Sequence, residues 1–394
     1  MRIDVFKMER TQCTYENKVE YNISESGVLP MKIEEVLDGS QQASDFLAMG
    51  LKYAWANGSP ELRERIAAWY PGATADHVVV TNGGSEANYT TVWGLLEKTD
   101  RVACMLPNYL QTWGLSRAYA GRADAFWLVE SRSNGKARWA LDLASLKKAV
   151  GKKTRLVIVT NPNNPTGGVL SEEEMDEIIG AARRANAWIL ADEIYRGAEL
   201  SGEISPSFWG RYDKLLITNG LSKAFGLPGL RIGWIIGPPQ MVAKLWSYRD
   251  YTTIAPGIIS DYLARIVMNR PRREQVLERT RSILRKQLPR LEDWIHTHDD
   301  IFSYIPPVAG AIAYIRYSLP ISSAALMTKL MKDKSVLLAP GDHFGMGPYL
   351  RVGYGYDIEQ TLKALARVDE TLGELQQQNS RRSERAQAIR SGAA

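Results

Sequence analysis

The sequence predicts an α/β protein in which helices cover both faces of a mainly parallel sheet. Short apolar runs typical of buried strands alternate with helical patterns along residues 77–236. Several of these runs end in a glycine or a polar residue that could contact a ligand. Because the carboxyl ends of parallel strands meet at one edge of a sheet, the ligand site is expected at that edge.

The composition is that of an ordinary globular protein. A chain of 394 residues with a 45% hydrophobic content can form one large domain with a smaller companion. Cys13 and Cys104 lie far apart in sequence, which argues against a disulfide framework or a cysteine-rich zinc site, so no metal is expected. Neither a signal core nor an apolar run of about 18 residues is found, so a cytoplasmic protein without a membrane partner is expected.

The formal net charge of +5 raises the question of a nucleic-acid partner. Basic and acidic residues are interleaved along the chain except at the C-terminus, where Arg381, Arg382, Arg385 and Arg390 lie in the polar segment 376–394. We expect this segment to be a disordered, solvated end, so no nucleic-acid partner is predicted.

The first part of the chain has few strong structural signals. Residues 1–45 are expected to form an irregular arm with one short acidic helix at 33–37. A helix is predicted at 60–70, because Ser59 can cap it, Pro60 suits its first position and apolar residues recur at helical spacing.

A strand that runs directly into a helix supplies the first candidate anion site. Residues 77–81 read as a buried strand, and a glycine-rich turn leads from them into a helix. The free N–H groups and the dipole at a helix start attract anions. Gly84 and Ser85 are therefore candidate phosphate ligands.

Four further strand-like runs lie at 101–106, 125–129, 154–160 and 187–191. The third ends in the turn 161–167, where two prolines remove hydrogen-bond donors and fix φ, so its side chains are presented rigidly. The segments between the runs are predicted to be a surface loop at 131–138, a helix at 141–150 and a helix from the Ser171–Glu174 capping box to about 185.

The lysine at position 223 is the most informative single residue. It lies in a glycine-broken loop between apolar runs at 214–218 and 234–236. An amine in a partly desolvated cleft can form a Schiff base with a carbonyl group, while Ser222 and Arg231 offer a phosphate a hydroxyl and a guanidinium. An aldehyde that carries a phosphate suits all three residues, and pyridoxal 5′-phosphate is the obvious one.

The rest of the chain predicts a smaller α+β unit. Residues 257–297 are long and helical, and they are expected to connect the two units. Strand-like segments and a last helix follow at 312–315, 336–341, 350–352 and 358–375.

Four motifs make the chain resemble the fold-type I aminotransferases of class I and II over about residues 20–370. They are NPNNPTG at 161–167, DEIY at 192–195, SK at 222–223 with its GLPGLR tail, and YLRVG at 349–353. Each motif is weak alone, but their order and spacing are specific. The SK motif and the loop at 249–254 also resemble the branch that contains capreomycidine synthases.

The resemblance implies an aspartate aminotransferase-like fold with a mainly parallel, seven-stranded sheet and a smaller α+β domain. The implied cofactor is pyridoxal 5′-phosphate, joined to Lys223. The expected divisions are an arm at 1–45 that contributes to the small domain, a large cofactor-binding domain at 46–265, the small domain at 266–375 and the tail at 376–394.

The resemblance also implies roles around the cofactor ring. Asp192 is expected beside the pyridine nitrogen, where an opposite charge favours the cationic, electron-accepting ring. Asn164 and Tyr195 are expected to donate hydrogen bonds to the phenolic oxygen. Tyr109 is expected to stack on the ring, a role for which Trp113 could compete.

Three further residues are implied in substrate binding and assembly. Tyr53, five residues before Gly58, is expected to reach the phosphate of a neighbouring subunit, which implies a homodimer with shared sites. Gly27 is expected in a loop over the substrate, and Asn164 is also expected to bind the substrate. Arg351 is expected to grip the substrate α-carboxylate, where a planar fork binds better than an ammonium.

The implied activity is transfer of an amino group from an L-amino acid to a 2-oxo acid, with Lys223, Asp192 and Tyr195 as catalytic residues. The same residues would also serve a capreomycidine synthase-like lyase or cyclase that acts at the β or γ carbon. A cofactor-binding regulatory module of the kind fused to a winged-helix DNA reader is an alternative of another class, although no such domain fits before the arm.

Two departures from the family pattern bear on the site. Gly220 stands where the family often has a serine or threonine, so one hydroxyl for the phosphate is missing. No second arginine for a dicarboxylate side chain can be identified, so the choice of substrate stays open.

Overall fold

The computed structural model describes residues 3–37, 39–133 and 135–390, without the side chains of 133 and 378–390, and contains a large sheet, a small sheet and a two-stranded pair. The strands in chain order are β1 (Tyr21–Asn22), β2 (Val78–Thr81), β3 (Arg101–Leu106), β4 (Arg122–Ser133), β5 (Lys136–Leu141), β6 (Thr154–Thr160), β7 (Trp188–Asp192), β8 (Leu215–Gly220), β9 (Gly233–Ile236), β10 (Phe302–Tyr304), β11 (Ile312–Tyr317), β12 (Val336–Leu337), β13 (Ala339–Pro340) and β14 (Tyr349–Gly353).

Helices separate most of the strands of the large sheet. The α-helices in chain order are α1 (Lys7–Tyr15), α2 (Ile33–Val36), α3 (Ser40–Leu47), α4 (Pro60–Ala67), α5 (Gly84–Leu95), α6 (Gln111–Tyr119), α7 (Leu143–Ala149), α8 (Glu172–Ala185), α9 (Pro239–Arg249), α10 (Ile258–Met268), α11 (Arg270–His296), α12 (Ser323–Lys334) and α13 (Ile358–Arg390).

The large sheet has the strand order β2-β9-β8-β7-β6-β3-β4-β5. Neighbouring strands from β8 to β4 are parallel, whereas β9 and β5 are antiparallel to their neighbours. The predicted α/β fold with a mainly parallel sheet is confirmed, and β5 adds an eighth strand at the edge.

This edge strand corrects the prediction of a surface loop at 131–138. Most of that segment belongs to the antiparallel pair of β4 and β5. In β5 only Trp139 and Leu141 are buried, while Lys136 and Ala137 are exposed. An edge strand that faces solvent needs few apolar residues, so its charged end resembles a loop in the sequence.

The large sheet is buried on both faces, which explains why its strands are continuous apolar runs. In β6, Val157 and Val159 pack into one core, and Leu156 and Ile158 pack into the other. Side chains of α5, α6 and α9 complete the second core, and those of α4, α7, α8, α10 and α11 contribute to the first. A shift by one residue would exchange both sets of contacts, so the strand register is well determined.

The small sheet has the antiparallel order β10-β11-β14-β13. Near it, β1 pairs with β12 in parallel, with Tyr21 opposite Val336. The N-terminal arm is therefore joined by backbone hydrogen bonds to the part of the chain that forms the small sheet.

The two ends of the chain differ from the sequence prediction. The helix at 33–36 is present, but the arm predicted to be irregular also contains α1 and α3. The tail predicted to be disordered from 376 continues α13 to Arg390, since no proline interrupts it, and 391–394 lie outside the described residues.

None of the described helices, α11 and α13 included, is long and apolar enough to cross a membrane.

Candidate active site

A cavity of about 520 Å³ lies where β6 and β7 end, at the carboxyl edge of the parallel strands. Residues predicted from different segments of the sequence meet here, as the topology requires. Those that line the cavity are Gly84, Ser85, Tyr109, Asn164, Asp192, Tyr195, Ser222, Lys223 and Arg231. The other predicted residues, Gly27, Tyr53 and Arg351, lie elsewhere.

One end of the cavity is built for an anion. It contains the first turn of α5, whose leading N–H groups have no partner within the helix. Gly83 has a φ of +87°, and a Cβ there would lie 2.4 Å from Nη2 of Arg231, so only glycine lets the guanidinium lie against this turn. Arg231 Nη1 also points toward Ser222 Oγ at 3.5 Å. A cation, a hydroxyl and a helix N-terminus therefore converge.

Asp192 ends β7 as a buried carboxylate in the cavity wall. Its oxygens accept hydrogen bonds from Asn88 Nδ2 at 3.0 Å and from the Ile194 N–H at 3.1 Å. Burial raises the pKa of Asp192, and no ion pair with a described lysine or arginine compensates its charge. A cationic group of a ligand would complete this site.

Asn88 is a site residue that the sequence analysis missed. Its Oδ1 accepts from Thr218 Oγ1 at 2.6 Å while its Nδ2 donates to Asp192, so the amide orients the carboxylate. Asn88 follows Gly84 by four residues and thus lies one turn further along the same helix face. This spacing from the predicted anion site was the signal that could have identified it.

Tyr195 and Asn164 contribute polar groups to the opposite wall. Tyr195 is 2% exposed, and its buried Oη has no hydrogen-bond partner among the described residues. Because an unpaired buried hydroxyl is costly, this atom indicates a missing ligand group. Asn164 Oδ1 accepts from Arg351 Nη1 at 2.9 Å, which connects the cavity wall to that arginine.

Arg351 lies in β14 of the small sheet, directly behind Asn164. It is 1% exposed, and burial lowers its pKa. Nη2 donates to the Ser24 carbonyl at 2.6 Å, and the buried Nε has no partner among the described residues. No described carboxylate forms an ion pair with it, so the charge of this guanidinium has no anionic partner among the described residues.

Gly27 and Lys223 are neighbours. A Cβ on Gly27 would lie 3.8 Å from Cδ of Lys223 and 3.4 Å from the Ser222 carbonyl oxygen. The arm thus passes beside the side chain of the lysine that lines the cavity. Lys223 is partly buried, and its side chain makes no hydrogen bond or ion pair to another described residue.

Helix α1 forms a wall that the sequence did not predict. Tyr109 donates its hydroxyl proton to Glu9 at 2.7 Å and contacts the Phe6 ring edge-on at 4.9 Å. Tyr109 lines the cavity, whereas Trp113 does not. The residues of the arm that line the cavity are Met8, Glu9, Gln12, Cys13, Glu16, Glu25 and Ser26. Met8 is the only buried residue of α1, so the sequence of this helix has no apolar periodicity that would have predicted it.

Tyr53 lies on the surface, with 86% of its area exposed. It does not line the cavity of its own chain. Other large apolar side chains are exposed near Tyr53 in the sequence and in a second segment. They are Leu47, Leu51 and Trp55 in the first segment, and Tyr251 and Ile254 in the second.

Comparisons with known proteins agree with this geometry. The family model described as aminotransferase class I and II matches residues 27–368. Capreomycidine synthase from Streptomyces vinaceus is 28% identical over 80% of this chain and 79% of that protein. An aspartate aminotransferase from Streptomyces avermitilis is 26% identical over 82% of each chain.

A solved structure supports the same relationship. The crystal structure of a PLP-dependent aminotransferase from Streptococcus suis superposes with a TM-score of 0.87 at 29% identity. The match covers 95% of this chain and 99% of that one, so the similarity extends over nearly the whole of both chains.

Proposed function

The chain belongs to the class I and II aminotransferase family, which uses pyridoxal 5′-phosphate, and we propose that it is an aminotransferase. In this proposal it transfers the amino group of an L-amino acid to a 2-oxo acid, and Lys223 is the residue that bears the cofactor. The observation that carries the proposal is the presence of Lys223, Asp192 and Arg231 around one cavity. They are an amine, a buried carboxylate and a guanidinium, which suit an aldehyde, a ring nitrogen and a phosphate.

The residues present fit this cofactor. The anion end, with Gly84, Ser85, Ser222 and Arg231, would hold the phosphate. The unpaired hydroxyl of Tyr195, together with Asn164, would donate to the phenolic oxygen, Tyr109 would contact the ring, and Asp192 would keep a proton on the ring nitrogen. When bound, the cofactor supplies an electron-poor ring that stabilises the negative charge left at the substrate Cα.

The protein's own residues then position the substrate and move its proton. Arg351 binds the α-carboxylate and so fixes the direction of the Cα–H bond. Lys223 Nζ lies on the cavity wall and acts as the base that takes the proton from Cα. Asn88 keeps Asp192 in position through its hydrogen bond.

Absorbance spectroscopy on the cofactor-containing protein tests this function. An amino donor should change the cofactor spectrum, and a 2-oxo acid should restore it while a new amino acid appears. A panel of amino acids, each followed by a panel of 2-oxo acids, identifies the pair. The proposal fails if no amino acid changes the spectrum.

A second candidate function is favoured by the similarity to capreomycidine synthase. In this case the protein would eliminate or replace a group at the β or γ carbon of an amino acid, as a lyase or cyclase. Incubation without any 2-oxo acid separates the two functions. Ammonia or a cyclised product formed over many turnovers would favour the second candidate.

Replacing Arg351 by lysine is expected to raise the KM for the amino donor by about 10- to 100-fold, because an ammonium cannot form two parallel hydrogen bonds to a carboxylate. Steady-state kinetics measures the change, and the cofactor spectrum without substrate should not change. Arg316→Lys, an exposed arginine in the neighbouring strand β11, is the matched control. An equal loss of activity in both variants would contradict the assignment.

A second copy of the chain is the proposed partner of the surface around Tyr53. Large apolar side chains exposed at 50–86% on the loops 47–55 and 251–254 favour burial against a partner. The second loop also borders the anion end, because Thr252 and Thr253 donate to Glu86 in the first turn of α5. A homodimer would therefore bring Tyr53 of one subunit to the phosphate site of the other.

Mixing two inactive variants tests these shared sites. Lys223→Ala and Tyr53→Ala should each be impaired, the second through weaker cofactor binding. In a hybrid dimer, one of the two sites combines the native Lys223 of one subunit with the native Tyr53 of the other. Random subunit exchange should therefore restore, on average, up to about half of one native site per dimer. Activity that stays at the sum of the separate variants would refute sharing, and ultracentrifugation checks that dimers form.

We also propose the division into a large domain at 46–265 and a small domain formed by 266–375 with part of the arm. The separate large and small sheets and the pairing of β1 with β12 support it.

A further inference from the structure

Three carboxylates line the part of the cavity that the N-terminal arm closes. Glu9 lies in α1, Glu16 directly follows that helix, and Glu25 lies in the segment that leads to Gly27. Burial, followed by the negative charges of Glu25 and Glu9, raises the pKa of Glu16. Glu16 therefore lies close enough to Glu9 and Glu25 to be repelled by both.

These carboxylates lack cationic partners within the chain. No ion pair joins any of the three to a lysine or arginine in the part of the chain that the structure describes. Glu9 accepts one hydrogen bond, from Tyr109. The side chains of Glu16 and Glu25 accept none from a described residue.

The cations near the cavity already have functions under the proposed mechanism. Lys223 bears the cofactor, Arg231 faces the phosphate, and Arg351 receives the α-carboxylate. Asp192 is matched by the ring nitrogen. Once these four groups are paired, the three partly buried glutamates still lack a cationic partner, and a cation brought by a ligand would relieve the repulsion at Glu16.

We infer that the amino donor carries a positively charged group, a guanidinium or an ammonium, on its side chain. This inference rests on the proposed aminotransferase function and names its substrate class. The cationic group would lie against Glu16 and Glu25, while Arg351 holds the α-carboxylate at the other end of the substrate. Aspartate, glutamate and aromatic amino acids would leave the glutamates unpaired.

A different reading is that Glu9 and Glu25 only balance the charge of Arg351, since both raise the pKa of that arginine against the larger lowering effect of its burial. In that case, neutralising Glu9 or Glu25 would weaken the binding of all amino donors equally. The two readings therefore differ in whether the effect depends on the side-chain charge of the substrate.

Pairs of amino acids with similar shape and unequal charge test the inference. L-Arginine is compared with L-citrulline, whose side chain ends in a neutral urea, and L-lysine with L-norleucine. Titration calorimetry on the cofactor-containing Lys223→Ala protein measures binding without turnover, and the cofactor spectrum of the wild type measures reaction. The charged member should bind at least about tenfold more tightly, as expected for hydrogen bonds to charged groups.

Charge-neutralising variants locate the effect. The Glu16→Gln/Glu25→Gln double variant should lose about 10- to 100-fold in affinity for the charged members and little for the neutral ones. If the double variant folds poorly, the two single variants replace it. Each single variant should lose part of the preference for the charged amino acids. Glu34→Gln removes the same charge from an exposed part of the arm and should keep the preference.

Two results would overturn the inference: equal binding of arginine and citrulline and of lysine and norleucine, or an unchanged preference in the double variant. Failure of every amino acid to change the cofactor spectrum would instead refute the aminotransferase function. The calorimetric comparison would still decide the charge preference, so the two failures are distinguishable.

Discussion

Replacing Lys223 by alanine is expected to lower the rate of amino transfer by at least about 10⁴-fold, because one side chain supplies both the attachment of the cofactor and the base for the Cα proton. Borohydride reduction of the wild type should fix the cofactor to this lysine, and peptide mass spectrometry should locate it there. The variant should retain its fold, since the side chain of Lys223 makes no hydrogen bond or ion pair to a described residue.

Lys214→Ala is the control for this experiment. Lys214 is partly buried and precedes the same strand β8, and its side chain donates hydrogen bonds to Asn186. Its replacement should leave the activity near that of the wild type. Cofactor attached to any other lysine, or a Lys223→Ala rate equal to that of the control, would contradict the role of Lys223.

The Asp192→Asn variant is expected to lose about 10²- to 10³-fold in kcat, because a neutral amide no longer stabilises a proton on the ring nitrogen. The folded-state pKa of Asp192 is raised, so above that pKa its charge reduces the stability of the cofactor-free protein. Removing the charge offsets the loss of one hydrogen bond. The stability of the cofactor-free variant should therefore stay within about 1 kcal/mol of the wild type.

Kinetics and thermal unfolding together separate chemistry from folding in this variant. Asp176→Asn, which alters an exposed carboxylate paired with Arg211, should change neither quantity appreciably. A drop in unfolding temperature that accounts for the lost activity would argue for a structural role of Asp192. An active variant would argue that its charge is unnecessary.

The buried parallel strands were the part of the fold most accessible from sequence. The predicted bounds 101–106 and 154–160 coincide with β3 and β6. Such strands need apolar residues on both faces, and glycine or proline marks their ends. The end of β4 and the start of β5 were missed because their exposed positions are mostly polar, and the end of α13 was missed because its sequence has no apolar periodicity.

The site divides in the same way. Residues at the ends of the parallel strands, such as Asp192 and Lys223, were found because their motifs and the topology agree. The contributions of α1 were not found, since Glu9 reaches Tyr109 across about 100 residues of sequence and no periodicity connects them. Long-range contacts of this kind leave no local pattern.

The Ser24 carbonyl accepts hydrogen bonds from both Gln12 and Arg351, so the arm and the small sheet meet at one atom beside the cavity. Changes at Glu9 or Gln12 would therefore also disturb Tyr109 or Arg351, whereas the side chains of Cys13 and Glu16 line the cavity without a hydrogen bond to a described residue. For enzyme engineering, a library restricted to positions 13 and 16 would sample new specificities with the least disturbance of the proposed reaction centre.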